Sequence, residues 1–369
     1  MVEYICERCG KKFSQKSHYT SHQNRKNPCD DNMKNITAII EKKVNEKISE
    51  LTKPKKKIKV KSVKKNVDIT GVKFEKPFIK WVGGKTQIIN SIVSKFPKKI
   101  NNYHELFLGG GSVLLALLSL KKAGRIQITG NIYAYDLNNL LINVYKHIQS
   151  SKEQLYKMLS TIFKEYNGIT GTIINRKPQT IEEAKTSKES YYYWTRKQFN
   201  EIDKQSIECS SMFIFLNKTC FRGVYREGPN GFNVPYGHYK KTPSFFTEVN
   251  LSELSDLIKD VKFVNCSFTD SIKNVKKGDL VYLDPPYAPE TSTSFVGYTI
   301  NGFCIETHKH LFTEILNLNK IKMKFVLSNA KVDLVMEYFN KFKMEDIKAR
   351  RAINSKNPEA TTTEVIIYN

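Results

Sequence analysis

The chain has 369 residues, 40% of them hydrophobic, with 60 Lys and Arg against 36 Asp and Glu, a formal charge of +24 at pH 7. That length fits one large domain with an appendage, and so basic a surface suits a polyanionic partner, nucleic acid first, with a Lys-rich source composition as the competing explanation. No apolar run spans a bilayer, the N-terminus lacks a signal-peptide pattern, and seven scattered cysteines form no disulfide framework, so the sequence reads as soluble, intracellular and kept in a reducing compartment.

Three zones follow in chain order. Residues 1–30 hold a Cys/His cluster: Cys6 and Cys9 are two residues apart, His22 follows after twelve, and Cys29 after six more. The spacing resembles a C2H2-type zinc finger, with Phe13 at the core aromatic position of a small ββα unit and Cys29 as fourth ligand. Thiolate and imidazole ligands at these distances suit tetrahedral zinc. The gap of six exceeds the usual three to five, and His18 competes as a ligand. Residues 31–73 form a basic helix and linker. Residues 1–73 together carry 19 Lys and Arg against 8 Asp and Glu. Ile36, Ile40, Val44, Ile48 and Leu51 stand at helical spacing, and 52–73 has the composition of a flexible linker. Its PKKKIKV run resembles a nuclear import signal and equally suits a phosphate-binding arm.

Residues 74–369 alternate apolar runs with amphipathic stretches. Strands are predicted at 102–107, 131–135, 262–266, 279–283, 323–328, 343–348 and 362–368. Helices are predicted at 111–124, 137–150, 152–166, 189–203, 207–217, 305–318 and 331–341. This alternation implies an α/β fold with a doubly wound, mostly parallel sheet. The stretch 151–260 breaks the rhythm and reads as a recognition insertion.

Four motifs punctuate this zone. Lys80-Trp81-Val82-Gly83-Gly84-Lys85 offers a tight turn, an apolar wall and a cation. Phe107-Leu108-Gly109-Gly110-Gly111-Ser112 is a Gly-rich strand-to-helix loop. It lacks a Walker lysine and the GxGxxG spacing, so nucleoside triphosphates are disfavoured. Asp136 ends the next strand, where a carboxylate commonly takes ribose hydroxyls. Last, Asp284-Pro285-Pro286-Tyr287 directly follows the apolar run Leu280–Leu283. A carboxylate at a strand end, a turn stiffened by two prolines and an aromatic ring together suit a planar base bearing an exocyclic amine. The set fits an adenosine-bearing cofactor, and S-adenosylmethionine in particular.

KWVGGK, FLGGGS, Asp136, LNKTCFRGVYREGPNGFNVPYG and DPPY occur in the order that resembles Dam-like, alpha-class (D12 class) DNA adenine-N6 methyltransferases. The resemblance covers about 74–369, including the terminal ARRAINSKNPEATTTEVIIYN. It implies a Rossmann-like class I methyltransferase fold with a mixed sheet and transfer of a methyl group to N6 of an adenine flipped from duplex DNA. It implies cofactor contacts from Trp81, Lys85, Phe107, Gly109, Gly111, Asp136 and Asp284. Catalysis falls to Asp284, Pro285, Pro286 and Tyr287, and DNA contacts to Lys218, Phe221, Arg222, Arg226 and Asn233. By position, Phe221 is the intercalating aromatic and Arg226 the guanine reader. Leu106 stands where the family usually has Pro. Arg222 stands where GATC-specific relatives have Asn, which leaves the target site open between GATC and another short sequence. A companion restriction endonuclease, the oligomeric state, and a nuclear or viral site of action are open on these grounds too. One rival is a zinc-finger DNA-binding protein with a catalytically silent methyltransferase fold, which would show a broken tetrad; here the tetrad is intact. A second rival, an RNA or protein-glutamine methyltransferase, would not carry the FNVPYG insertion.

Overall fold

The computed structural model describes residues 3–7, 11–25, 67–241, 243–289, 303–350 and 361–369. The helix expected over 36–51 and the Lys-rich run beyond it lie outside these residues, as do Cys9 and Cys29. The chain forms two units, Met1–Lys64 and Lys65–Asn369.

In the first unit, β1 (Tyr4–Ile5) pairs antiparallel with β2 (Lys12–Phe13), and α1 (Lys16–Gln23) follows. Phe13 packs against the His22 ring at 4.9 Å, and Cys6 and His22 are both buried. Gln23 Nε2 donates to Cys6 Sγ at 3.5 Å. Among the described residues no three His, Cys, Asp or Glu side chains gather as a metal site.

The second unit begins before the composition change at 74, since Val67 is already in its core. After α2 (Ile89–Val93) and the short β3 (Lys99–Ile100), its elements outside the insertion run β4 (Tyr103–Glu105), α3 (Ser112–Lys122), β5 (Gln127–Ile128), β6 (Ile132–Asp136), β9 (Val261–Asn265), α10 (Phe268–Ser271), β10 (Leu280–Leu283), α11 (Ile305–Lys320), β11 (Lys324–Ala330), α12 (Asp333–Phe339), β12 (Lys343–Arg350) and β13 (Thr361–Tyr368). Seven strands form one sheet in the order β12-β13-β11-β10-β4-β6-β9. Neighbours are parallel from β9 to β11, and β13 pairs antiparallel with both β11 and β12. The doubly wound mixed sheet implied by the sequence is the one observed.

The strands read as they do because both faces are covered. Leu280, Val281, Tyr282 and Leu283 are all buried, the continuous apolar run of a central parallel strand. Their side chains alternate between two cores. Leu280 and Tyr282 join a core with Leu114, Leu117 and Ile142; Val281 and Leu283 join another with Leu311, Phe312 and Phe339. No described helix is long and apolar enough to cross a membrane.

Between β6 and β9 the chain leaves the sheet for the insertion. It contains α4 (Asn139–Ser150), α5 (Lys152–Gly168), α6 (Ile181–Ala184), α7 (Lys188–Glu201), α8 (Ile207–Thr219), a hairpin of β7 (Glu227–Gly228) and β8 (Gly231–Phe232), and α9 (Glu248–Ile258). Helix α9 was not expected. Its signals are Leu251, Leu254 and Ile258 on one buried stripe, and Thr247, whose hydroxyl caps it by accepting from Asn250 N.

Candidate active site and nucleic-acid interface

Strand order reverses between β4 and β10, because their next neighbours lie on opposite sides. In such sheets the ligand crevice opens at the carboxyl ends flanking this point. The Gly-rich loop leaves β4 there, and Asp284-Pro285-Pro286-Tyr287 leaves β10 there. The sheet therefore brings together motifs far apart in sequence.

The Gly-rich loop is shaped by positive φ at Gly109 (50°) and Gly111 (69°). A Cβ on Gly109 would stand 2.9 Å from the Trp81 indole, and one on Gly111 2.3 Å from the Tyr145 hydroxyl. No larger residue fits either position. Asp136 ties this loop to the next turn: Gly109 N donates to its Oδ2 and Asn138 N to its Oδ1, each at 2.9 Å. Burial raises the Asp136 carboxyl above its ordinary range, and these donors oppose the shift. Phe107 stands with Phe268 and Phe303 at ring separations of 6.1 and 6.0 Å. Leu106, the departure from the family's Pro, is buried in the core.

Lys85 sits at the centre of the crevice. Its Nζ meets Asp284 Oδ2 at 2.7 Å and lies 5.0 Å from the centre of the Tyr287 ring. The ammonium is 4% exposed and the carboxylate 18%, so water screens this pair little. Burial raises the Asp284 carboxyl to about 6, against the pull of Lys85, with Glu364 adding to the rise. The Tyr287 hydroxyl donates to Glu364 Oε2 at 2.8 Å. Burial and nearby carboxylates keep that phenol protonated.

Glu105 and Tyr103 were not anticipated. Tyr103 Oη donates to Glu105 Oε2 at 2.6 Å, and both are buried. Burial lifts the Glu105 carboxyl to about 8, Tyr103 opposes, and Asp284 and Asp136 add to the rise. Glu105 in HELFLGG carried a readable signal: an acidic residue at the end of a core strand, beside a glycine turn. With Glu105 protonated and Asp284 paired with Lys85, Asp136 is the carboxylate left to accept hydroxyl groups of a ligand. That acceptor suits the ribose of S-adenosylmethionine.

Asn217 joins this region to the insertion. Its Oδ1 accepts from Lys80 N at 2.8 Å, and its Nδ2 donates to Lys80 O at 2.7 Å and Gly223 O at 3.2 Å. Trp81 also stacks on Tyr225, with centroids 5.9 Å apart and planes at 21°. The loop beyond presents Phe221, 49% exposed. Arg222 lies beside it, with the guanidinium 5.2 Å from the Phe221 ring centre and φ at 56°. Arg226 is exposed and oriented by Asn233, whose Oδ1 accepts from Nε at 2.7 Å. Lys218 is half-buried; burial and nearby Lys80 bring its ammonium down to about 8. The loop is fixed from behind. Asn200 pairs with both backbone groups of Phe232, and Tyr192 and Arg196 donate to Val234 O. An exposed ring flanked by cations on a fixed loop suits insertion into a base stack.

The chain matches the family model of D12 class N6 adenine-specific DNA methyltransferases over residues 81–353. It is 35% identical to the Type II methyltransferase M.MjaIII of Methanocaldococcus jannaschii, over 76% of this chain and 93% of that protein. It is 30% identical to the Type II methyltransferase M1.LlaDCHI of Lactococcus lactis subsp. cremoris, over 80% and 95%. It is also 30% identical to a DNA adenine methylase of Haemophilus influenzae, over 77% and 89%.

Proposed function

The chain belongs to the D12 class of N6 adenine-specific DNA methyltransferases, an S-adenosylmethionine-dependent activity, and on that premise we propose how its residues divide the work. When bound, S-adenosylmethionine supplies an electrophilic methyl carbon on a sulfonium. Trp81, Lys85, Phe107, Gly109, Gly111, Asp136 and Asp284 would hold it, with Asp136 on the ribose hydroxyls.

Adenine N6 is a poor nucleophile because its lone pair is delocalised into the ring. Lys85 occupies Asp284 Oδ2, which leaves Oδ1 and the Pro285 carbonyl to accept the two N–H groups of the amine. That pattern favours a tetrahedral nitrogen with its lone pair aimed out of the base plane. The work is positioning and electrostatics. Asp284 then takes up the proton released as N6 becomes secondary. Tyr287 stacks on the base, which must first leave the duplex. Phe221 fills the gap in the stack, Arg226 reads a guanine edge, and Lys218, Arg222 and Asn233 add contacts to the DNA. The observation that carries this reading is the Lys85–Asp284 pair at the reversal point of the sheet.

The test is methyl transfer from labelled S-adenosylmethionine to duplex DNA lacking N6-methyladenine. Label should appear on adenine N6, and Asp284→Ala should lower the rate by about a thousandfold or more. The wild-type kcat/KM should fall as the pH drops through about 6, where Asp284 gains a proton. Label on cytosine or RNA alone would overturn the reading. The methylated motif identifies the target, GATC or another short site.

We also propose that Cys6, Cys9, His22 and Cys29 bind one zinc ion. The support is a ββα unit with Cys6 and His22 buried, too small to fold on its core alone. Metal analysis of the purified chain should give one zinc per chain, and Cys6→Ser should abolish it. The names of the two Type II relatives support a companion restriction endonuclease, seen as cleavage that this enzyme's own methylation blocks.

A further inference from the structure

Two consecutive prolines leave the catalytic turn without two of its N–H donors. Pro285, Pro286 and Tyr287 make no backbone–backbone hydrogen bond among the described residues. The turn is held by side chains from elsewhere. Lys85 binds Asp284, Glu364 binds the Tyr287 hydroxyl, and Asn329 Oδ1 accepts from Ala288 N at 3.0 Å. The fourth support is His308, whose Nε2 lies 2.8 Å from the Pro286 carbonyl oxygen.

His308 is fully buried on α11. Its ring is packed against Phe303 and Phe312 at centroid separations of 4.6 and 5.9 Å. Nδ1 lies 3.0 Å from the Cys304 carbonyl, which already accepts the His308 backbone N–H. Burial works against the charged ring. A neutral imidazole has one N–H, and a carbonyl can only accept. Placing that hydrogen on Nε2 satisfies the Pro286 oxygen, which has no backbone donor, and leaves Nδ1 beside the Cys304 oxygen, whose bond from the His308 backbone N–H is already made; placing it on Nδ1 would leave the Pro286 oxygen without a donor.

We propose that His308 is a positioning residue for methyl transfer. Its Nε2–H fixes the Pro286 carbonyl, and through that rigid peptide the Pro285 carbonyl and Asp284 carboxylate that receive the amine. The inference rests on the assignment of Asp284 and Pro285 made above. It concerns geometry alone: His308 touches neither cofactor nor base.

The test uses the full chain with Asp284→Ala measured in parallel. Three substitutions separate the roles. Gln places an amide N–H near the Nε2 position, Asn is too short to reach Pro286, and Leu fills the space without a donor. Single-turnover transfer to duplex DNA should be slowed about tenfold or more in His308→Leu and His308→Asn. S-adenosylmethionine affinity and the KM for DNA should stay within about threefold, because the loss falls on kcat. His308→Gln should recover most of the wild-type rate. Thermal unfolding separates a misfolded variant from a mispositioned one; if Leu fails to fold, the Gln and Asn pair decides. Equal rates in Gln and Asn, or a wild-type rate in Leu, would overturn the proposal while leaving Asp284 intact. Full activity in Asp284→Ala would instead overturn the assignment on which it rests.

Discussion

The corner proposed for catalysis and the loop proposed for recognition are built on opposite terms. At the corner, Lys85, Glu105 and Tyr103 are almost wholly buried, and the tetrad is anchored from four sides. Phe221, Arg222 and Arg226 stand in solvent, held by hydrogen bonds to the backbone behind them. Chemistry on an amine needs fixed acceptors in a dry setting, where a small displacement is costly. Reading a duplex needs side chains exposed to a partner that deforms as it is bound. Asn217 is the link between the two, since one amide clamps both Lys80 and Gly223.

After Asp284→Ala, the largest expected break comes from the recognition side. Arg226→Ala should cost about 1–3 kcal/mol of discrimination at one base pair, with the transfer rate at saturating DNA reduced much less. Competition between DNA duplexes that differ at single positions measures it. A uniform loss across all sequences would make Arg226 a phosphate contact instead.

The corner titrates through a carboxyl group, the loop through the Lys218 ammonium. Glu105 has a folded value near 8, raised mainly by burial from 4.5. Its contribution to stability is complete below about pH 4.5, declines as pH rises, and is lost above about pH 8. Glu105→Gln keeps an oxygen for Tyr103 and removes the titration. Its melting temperature relative to wild type should therefore climb between pH 5 and pH 8 by a few degrees. A constant difference across that range would mean that Glu105 is ionised in the folded protein.

The same contrast explains what was legible in the sequence. Strands buried on both faces announce themselves as apolar runs, so Leu280–Leu283 and Val365–Ile367 were readable, and with them the sheet. The tetrad and the glycine loop were readable because proline and glycine restrict the backbone in ways few other sites require. His308, Glu364 and Asn217 were not. Each acts across a fold that brings together residues 22, 77 and 137 positions apart, and a histidine on an amphipathic helix looks like any other until its partner is known. Helix α9 was missed because its apolar stripe is only three residues long.

The smallest effect concerns Arg222 in the recognition loop. Its φ of 56° is left-handed, a region that disfavours most side chains by roughly 1–2 kcal/mol and that Asn tolerates by local hydrogen bonding. The conformation thus makes Arg a strained choice at this position. Strain of this kind persists where function sustains it. Arg222→Asn should leave the melting temperature unchanged or raise it by about 1–3 °C, although it removes the contact between the guanidinium and the Phe221 ring. Sequencing of the methylated sites should show a changed motif for the variant. A lower melting temperature with the same motif would mean that Arg222 stabilises the loop and reads nothing.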